Sequence, residues 1–403
     1  MAMAQKTKLK LKIQNLKFLN SKKIQLFLQV LLILIIIFNV GNTVWNLHGK
    51  YFSSTYWQNF PSLEKVFLDS QYVNKHPKGW IPDETAFSYA GGKLISGTNP
   101  VLVVPDAPPL GKYLIGLSTV IFNNDSTFIL VGAVLSLMLV YFLCFQILSN
   151  RILSLIPPLF ISFEPIFKNQ LIYTPLMDIF QLLFLLCTFY FYNQGLSNKN
   201  NILFFALANL FLGFSMANKF FITGFIIIAA FYAVLFLAKD KKRLINLTIA
   251  LPLSFLILLL SYIRVFAFGY AINRFLGIQK WVFLYHKSYL ILPFSVWPLL
   301  LFNKWYVWFG DKPVISDAQW SISWPIITII SIVTAVLYLT NRIPKNKKIE
   351  VLIAWSIFYL LFLSVGQISS RYFVILVPIL YIISAYGIVE FIKKIICNNK
   401  PHA

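Results

Sequence analysis

Acidic side chains are scarce in this sequence. Of 403 residues, 13 are Asp or Glu against 35 Lys or Arg, and charge of either sign makes up 12%. A water-soluble domain carries about a quarter charged residues, so a soluble globular enzyme is excluded. Cysteine is also sparse. Cys144, Cys187 and Cys397 lie far apart, two of them inside apolar runs, which fits core packing or free thiols and not a disulfide framework. None of the four histidines has zinc-site spacing to a cysteine, so a structural metal is not expected. Low-complexity tracts and repeats of fixed period are missing. The formal charge of +22 does not point to nucleic acid, because the basic residues lie mostly in short loops between apolar runs.

Apolar runs are abundant: 58% of residues are hydrophobic. Their spacing predicts about ten transmembrane helices, near 26–46, 127–148, 152–168, 174–193, 201–218, 220–238, 246–267, 320–341, 350–366 and 372–392. Residues 1–25 hold seven lysines and read as a basic cytoplasmic segment, followed by an uncleaved first helix. With the N-terminus inside, the internal loops collect more than half of all Lys and Arg, including the KDKKR and NRIPKNKK clusters, and very few acids. That satisfies the positive-inside rule and places both termini in the cytoplasm. The chain is read as one membrane domain over 26–392 with a short cytoplasmic tail at 393–403. Two loops face outward, at 47–126 and 268–319. The first contains amphipathic stretches too short or too polar to span, and these are expected to lie in the interface. The second is rich in Trp, Tyr and Phe, as an interfacial belt is.

The polar residues worth singling out sit on the outward side. Asp83 and Glu84 are adjacent, just after Pro82. One reading is a solvated turn that caps the next helix; the other is a general base at the lipid interface. Asp106 precedes APPLGK at 107–112, where prolines open a helix and an acid complements its dipole. Glu164, Lys168, Asp178, Lys219, Arg264 and Arg371 lie near the outer helix ends. A charge at membrane depth is a functional candidate by default, and snorkelling is the plain alternative for each. If the six converge, their cations suit a lipid phosphate and their acids suit proton removal.

These motifs, in this order, resemble the protein O-mannosyltransferases of the GT-C class of polyprenyl-phosphate-sugar-dependent glycosyltransferases. Asp83-Glu84 with FSYAGGKLISG resembles the acidic motif of the first loop. PPLGKYLIGL, LMDIFQLLF, SMANKFFITGF, Tyr285-His286 with PFSVWPL, and SRYFVILVP resemble later motifs. The sequence departs from the pattern at Ala107 and Leu292, where the family has His, and after Asn123-Asn124-Asp125-Ser126, where it often has Arg.

The resemblance implies an all-α GT-C bundle with interfacial helices in its first outer loop. It implies an inverting transfer of a sugar, mannose in this family, from a polyprenyl-phosphate donor to an acceptor hydroxyl at the outer membrane face. The acceptor would be protein Ser/Thr, with a lipid or glycan as the alternative. Asp83 would be the base and Glu84 its neighbour in the acceptor site. Arg371, Lys219 and, less directly, Lys112 would hold the donor phosphate. Asp106, Asp178, Tyr285, His286 and Trp297 would position substrate. No metal or other cofactor is expected, because fixed cations can serve a lipid phosphate. Two other classes remain open. A transporter or flippase of lipid-linked sugars would carry ionisable residues near helix midpoints, and a non-catalytic scaffold would tolerate Asp83→Asn.

Overall fold

The computed structural model describes residues 22–398 apart from 75, 78, 199–201, 288–291, 308–312 and 367, and leaves the side chains of 285–287 and 397–398 undescribed. Most of the basic N-terminal segment therefore lies outside the described residues, as does the Cys397 side chain.

The first helix, α1 (Lys22–Trp45), is followed by three short helices of the first outer loop, α2 (His48–Phe52), α3 (Tyr56–Leu68) and α4 (Asp83–Ile95). Helix α5 (Leu110–Phe122) completes that loop, and α6 (Thr127–Leu148) re-enters the bundle. Thirteen residues at about 1.5 Å each make α5 too short to cross a bilayer. The prolines of the sequence set several boundaries. The expected span at 152–168 is broken into α7 (Ile156–Phe163) and α8 (Pro165–Ile172), because Glu164 is extended and Pro165 opens a new helix. The next span begins at Asp178, not 174, giving α9 (Asp178–Ser197). Helices α10 (Ile202–Asn218) and α11 (Ile222–Leu237) follow.

The span expected at 246–267 starts earlier and is segmented as α12 (Lys241–Ala250), α13 (Pro252–Ser261) and α14 (Ile263–Ala267). Asp240 caps α12 by accepting from the Arg243 N–H. The second outer loop holds α15 (Ile272–Lys287), α16 (Val296–Phe302) and a two-residue antiparallel ladder, β1 (Trp305–Tyr306) with β2 (Val314–Ile315). Two long helices and one shorter helix end the bundle: α17 (Ser323–Leu339), α18 (Lys347–Val365) and α19 (Leu376–Asn398), the last entered through a tight 3-10 turn at Ser370–Val374.

Among the described residues, six helical segments are long and apolar enough to cross a membrane, and five shorter apolar helices accompany them. The protein is an all-α membrane bundle. Helices α9 and α19 are buried along most of their length, whereas α1 is largely exposed at the edge. Exposed Leu, Ile and Phe along α1, α6 and α17 match a lipid-facing surface, where burying them against protein is not required.

The glycines of the first loop explain how α4 is seated. Gly91 crosses Gly116 so closely that a Cβ on Gly91 would stand 2.9 Å from the Gly116 nitrogen. The two helix backbones touch there, and the obstacle is backbone that cannot rotate away. Gly91→Leu is therefore expected to push α4 off α5 and to cost on the order of 1–3 kcal/mol or more. A fall in thermal midpoint in detergent, compared with the exposed Gly49→Leu, checks it; equal midpoints would contradict the packing argument.

Candidate active site

Asp83 is the first residue of α4, directly after the N-cap Pro82. The carboxylate turns toward α19, where Arg371 Nη2 donates to Asp83 Oδ2 at 2.5 Å. The two residues are 288 positions apart. Arg371 lies in the 3-10 turn before α19, and Tyr359 of α18 fixes that turn by donating its hydroxyl to the Tyr372 carbonyl at 3.0 Å.

A second pair completes the cluster. Lys219 Nζ donates to Asp178 Oδ1 at 2.5 Å. Asp178 begins α9, and Lys219 lies in the turn between α10 and α11. Polar side chains beneath them hold the two turns together. Asn218 donates to the Met177 carbonyl at 2.9 Å and to Gln181 at 3.1 Å. Gln181 donates to Ser215 and Thr223. Gly111 of α5 sits against Met177 and Asn218 with no room for a side chain, so the PPLGK helix abuts the same turns.

Burial pushes the Lys219 ammonium below its usual range, and Asp178 and Asp83 pull it back against Arg371. Arg371 in turn feels both Asp178 and Asp83. The four groups are thus one electrostatic unit of two acids and two cations. The inner pair is the drier: the Asp178 side chain is 6% exposed and that of Asp83 34%. Asp178 Oδ2 is buried with no hydrogen-bond partner. The arrangement offers a reachable carboxylate beside two cations in a poorly screened environment, which suits a proton acceptor next to an anion.

Other expected residues fall elsewhere. Lys112 is fully buried and donates to the carbonyls of Val104 at 2.6 Å and Ala107 at 2.8 Å. Burial pushes its amine down to about 8, with Asp106 opposing. Its hydrogen bonds go to the 104–107 turn. Lys112→Met should loosen that turn and lower stability by about 1–3 kcal/mol. Purified variants compared by thermal unfolding would show it, and an unchanged midpoint would argue against a structural role. Glu84 is half-buried in the first turn of α4, and no described side chain bonds to it. Trp297 is half-buried on α16 and packs on the core. The Tyr285 and His286 side chains lie outside the described residues.

The six outer charges do not all converge. Lys168 stands 5.5 Å from the Phe163 ring centre. Arg264 donates to the Leu94 carbonyl and covers the Tyr113 ring at 5.6 Å. Glu164 is buried and accepts from Ser323, Tyr381 and, at 3.2 Å, Trp324 Nε1. It ties the α7–α8 break to α17 and α19. Among the described residues, no three His, Cys, Asp or Glu side chains gather in metal-binding geometry.

Residues 106–264 match the family model of dolichyl-phosphate-mannose-protein mannosyltransferases. No curated protein matches the chain. ArnT from Cupriavidus metallidurans bound to undecaprenyl phosphate is similar in structure, with TM-score 0.58 at 13% identity over 85% of this chain and 62% of ArnT. The archaeal oligosaccharyltransferase AglB from Archaeoglobus fulgidus, in complex with an inhibitory peptide and a dolichol-phosphate, gives TM-score 0.52 at 14% identity over 94% of this chain and 52% of AglB. The chain has the GT-C fold.

The chain spans about three-fifths of ArnT and half of AglB. The family match covers the segment from Asp106 through α5 to Arg264, including Asp178 and Lys219. Asp83 and Arg371 lie outside it and are tied to it by the ion-pair cluster.

Sequence reasoning missed one knot, at Asn123-Asn124-Asp125-Ser126. Asn123 ends α5 in a left-handed conformation and bonds Ser54 and Trp57. Asn124 bonds the carbonyls of Lys50 and Ser53 and accepts the N–H groups of Ser126 and Thr127. Asp125 accepts from Ser88 of α4 at 2.5 Å and from Ser126 at 2.8 Å, and burial pushes its carboxyl up. The turn-forming composition of the stretch was the available signal.

Proposed function

We propose that the chain is an inverting glycosyltransferase that moves a sugar, mannose, from a polyprenyl-phosphate donor to a protein Ser/Thr hydroxyl. The carrying observation is the convergence of Asp83, Asp178, Lys219 and Arg371 from four separate segments into one charged cluster at the edge of the bundle. The family match of the central segment and the lipid-phosphate ligands named for ArnT and AglB support it.

In this reading Asp83 removes the acceptor proton as the oxygen attacks the anomeric carbon in line. The bond from that carbon to the phosphate oxygen breaks, and the electron pair leaves with polyprenyl phosphate. Arg371 and Lys219 stabilise the growing phosphate charge. Glu84 borders the acceptor side, while Asp178 orients Lys219. Asp106 helps position substrate from the turn that holds Lys112. Trp297 offers a ring face for the sugar, and Tyr285 and His286 are assigned to substrate positioning by motif alone. The cluster faces the outer leaflet, with both termini in the cytoplasm, as the lysine distribution requires.

The test uses purified chain in detergent with radiolabelled polyprenyl-phosphate mannose, offering a Ser/Thr-rich peptide and a lipid acceptor fraction separately. Label in the peptide supports the proposal. Label in the lipid fraction alone reassigns the acceptor. No transfer from any sugar in a panel of polyprenyl-phosphate donors would remove the transferase reading. We also propose that fixed cations replace a divalent metal. The rate in EDTA should match the rate without it, and loss of transfer restored by Mg²⁺ or Mn²⁺ would refute that.

A further inference from the structure

We propose that the cleft between α17 and α19, at the end of the bundle opposite Asp83, binds the headgroup of an anionic phospholipid. Helix α19 and its entry turn run from Arg371 to Lys394, which at about 1.5 Å per residue is roughly 34 Å and matches a hydrocarbon core of about 30 Å. A ligand here meets the leaflet opposite the charged cluster, so the site stands apart from the transferase reading.

The cleft is a cavity of about 320 Å³ lined by Leu337, Arg342, Ile343, Phe391, Lys394 and Ile395. Its shape follows from a helix ending. Asn341 adopts φ 57°, the Arg342 N–H bonds the Leu337 carbonyl at 2.8 Å, and the Asn341 N–H bonds that of Tyr338 at 3.1 Å. This is the Schellman pattern, and it turns the chain so that Arg342 stands beside the last turns of α19. Tyr386 of α19 secures the turn by donating to the Pro344 carbonyl at 2.6 Å. Lys394 leans over from α19 and contacts the Arg342 carbonyl at 3.4 Å.

Charge then selects the occupant. Among the described residues, neither Arg342 nor Lys394 has an acidic partner. The nearest acid along α19, Glu390, is taken by Lys393 at 2.6 Å. Lys345 adds a further cation, spread over the Tyr338 ring at 4.2 Å. Two uncompensated cations at the rim and four apolar side chains below them match a molecule with an anionic head and a hydrocarbon tail. Basic pockets between transmembrane helices bind lipid headgroups in this way. A soluble phosphate would satisfy the cations and leave the apolar wall unused.

Native mass spectrometry of the full chain in detergent tests the proposal by titration with phosphatidylglycerol or phosphatidylcholine of identical acyl chains. At about 1 kcal/mol per basic residue, the anionic lipid should bind about tenfold more tightly or better. Arg342→Gln/Lys394→Gln should erase that preference, and Lys241→Gln/Lys242→Gln, with the same loss of charge on α12, should keep it. Ile395→Trp, which fills the cleft at an exposed position and leaves the charge intact, should weaken binding of phosphatidylglycerol. No preference in the wild type, a preference surviving in the cleft variants, or equal loss in the α12 control would each overturn the assignment.

Discussion

Asp83→Asn should lower the transfer rate by about 10²–10⁴-fold, the range a positioned general base supplies, while leaving the folded protein intact. The substitution is informative because the amide keeps the shape of the carboxylate and still accepts from Arg371. Glu84 keeps an acid in the first turn of α4, so the substitution should not unravel that helix. Because the asparagine side-chain oxygen can still accept from Arg371, the guanidinium keeps a partner, and the thermal midpoint should stay near wild type. What Asn lacks is the ability to take a proton. The loss should appear in kcat, with the donor KM little changed, since only an interaction made in the transition state is removed. Activity within a few-fold of wild type would mean that another group accepts the proton.

Arg371→Gln should be the next most damaging change, at about 10²–10³-fold in kcat, comparable to removing one donor from an oxyanion site. Two effects add here. The phosphate loses a cation, and Asp83 loses the partner that orients it. Lys219 remains bound to Asp178 and cannot replace Arg371 without breaking that pair. Arg371→Lys should recover part of the loss, because charge is restored while the planar fork is not. Binding of the lipid product, polyprenyl phosphate, measured on the same variants, should weaken in parallel. Wild-type kcat and wild-type product affinity in Arg371→Gln would sink the assignment.

The periodic features were legible from the chain alone. The run at 127–148 and the helices ending at Asn218 and Leu237 read correctly because apolar length and loop polarity are local properties. Breaks at Glu164 and Pro252 were harder, since a proline among apolar residues can kink a helix or begin one. The site was legible only in its parts. Asp83 stood out as one of two adjacent acids after Pro82 and Arg371 as a charge near an outer helix end, but their contact spans the whole fold and no spacing encodes it. Lys112, read from PPLGK as a phosphate ligand, donates to two carbonyls of a nearby turn, contacts that the motif alone does not encode. Glu164 was visible as an acid among apolar residues, and its three donors come from α17 and α19, well over a hundred residues away in sequence. Asn124 and Asp125 stand out in the sequence only for the Arg that does not follow them, because backbone carbonyls at Lys50 and Ser53 and the Ser88 hydroxyl are partners that no spacing reveals.

The electroneutrality of the Asp83–Arg371–Lys219–Asp178 cluster has a consequence for turnover. At rest its two acids and two cations cancel. On the proposed chemistry the donor arrives as a phosphodiester monoanion and departs as a phosphate that can carry a second negative charge. The proton taken by Asp83 cancels one acid at the moment that second charge appears. The cluster becomes a net cation only while it faces the product. Until Asp83 returns its proton to water, the spent lipid is held by an excess of positive charge; once it does, the cluster is neutral again and the grip relaxes. Loss of that proton would thus also loosen the hold on the lipid carrier, linking the charge of the cluster to product release.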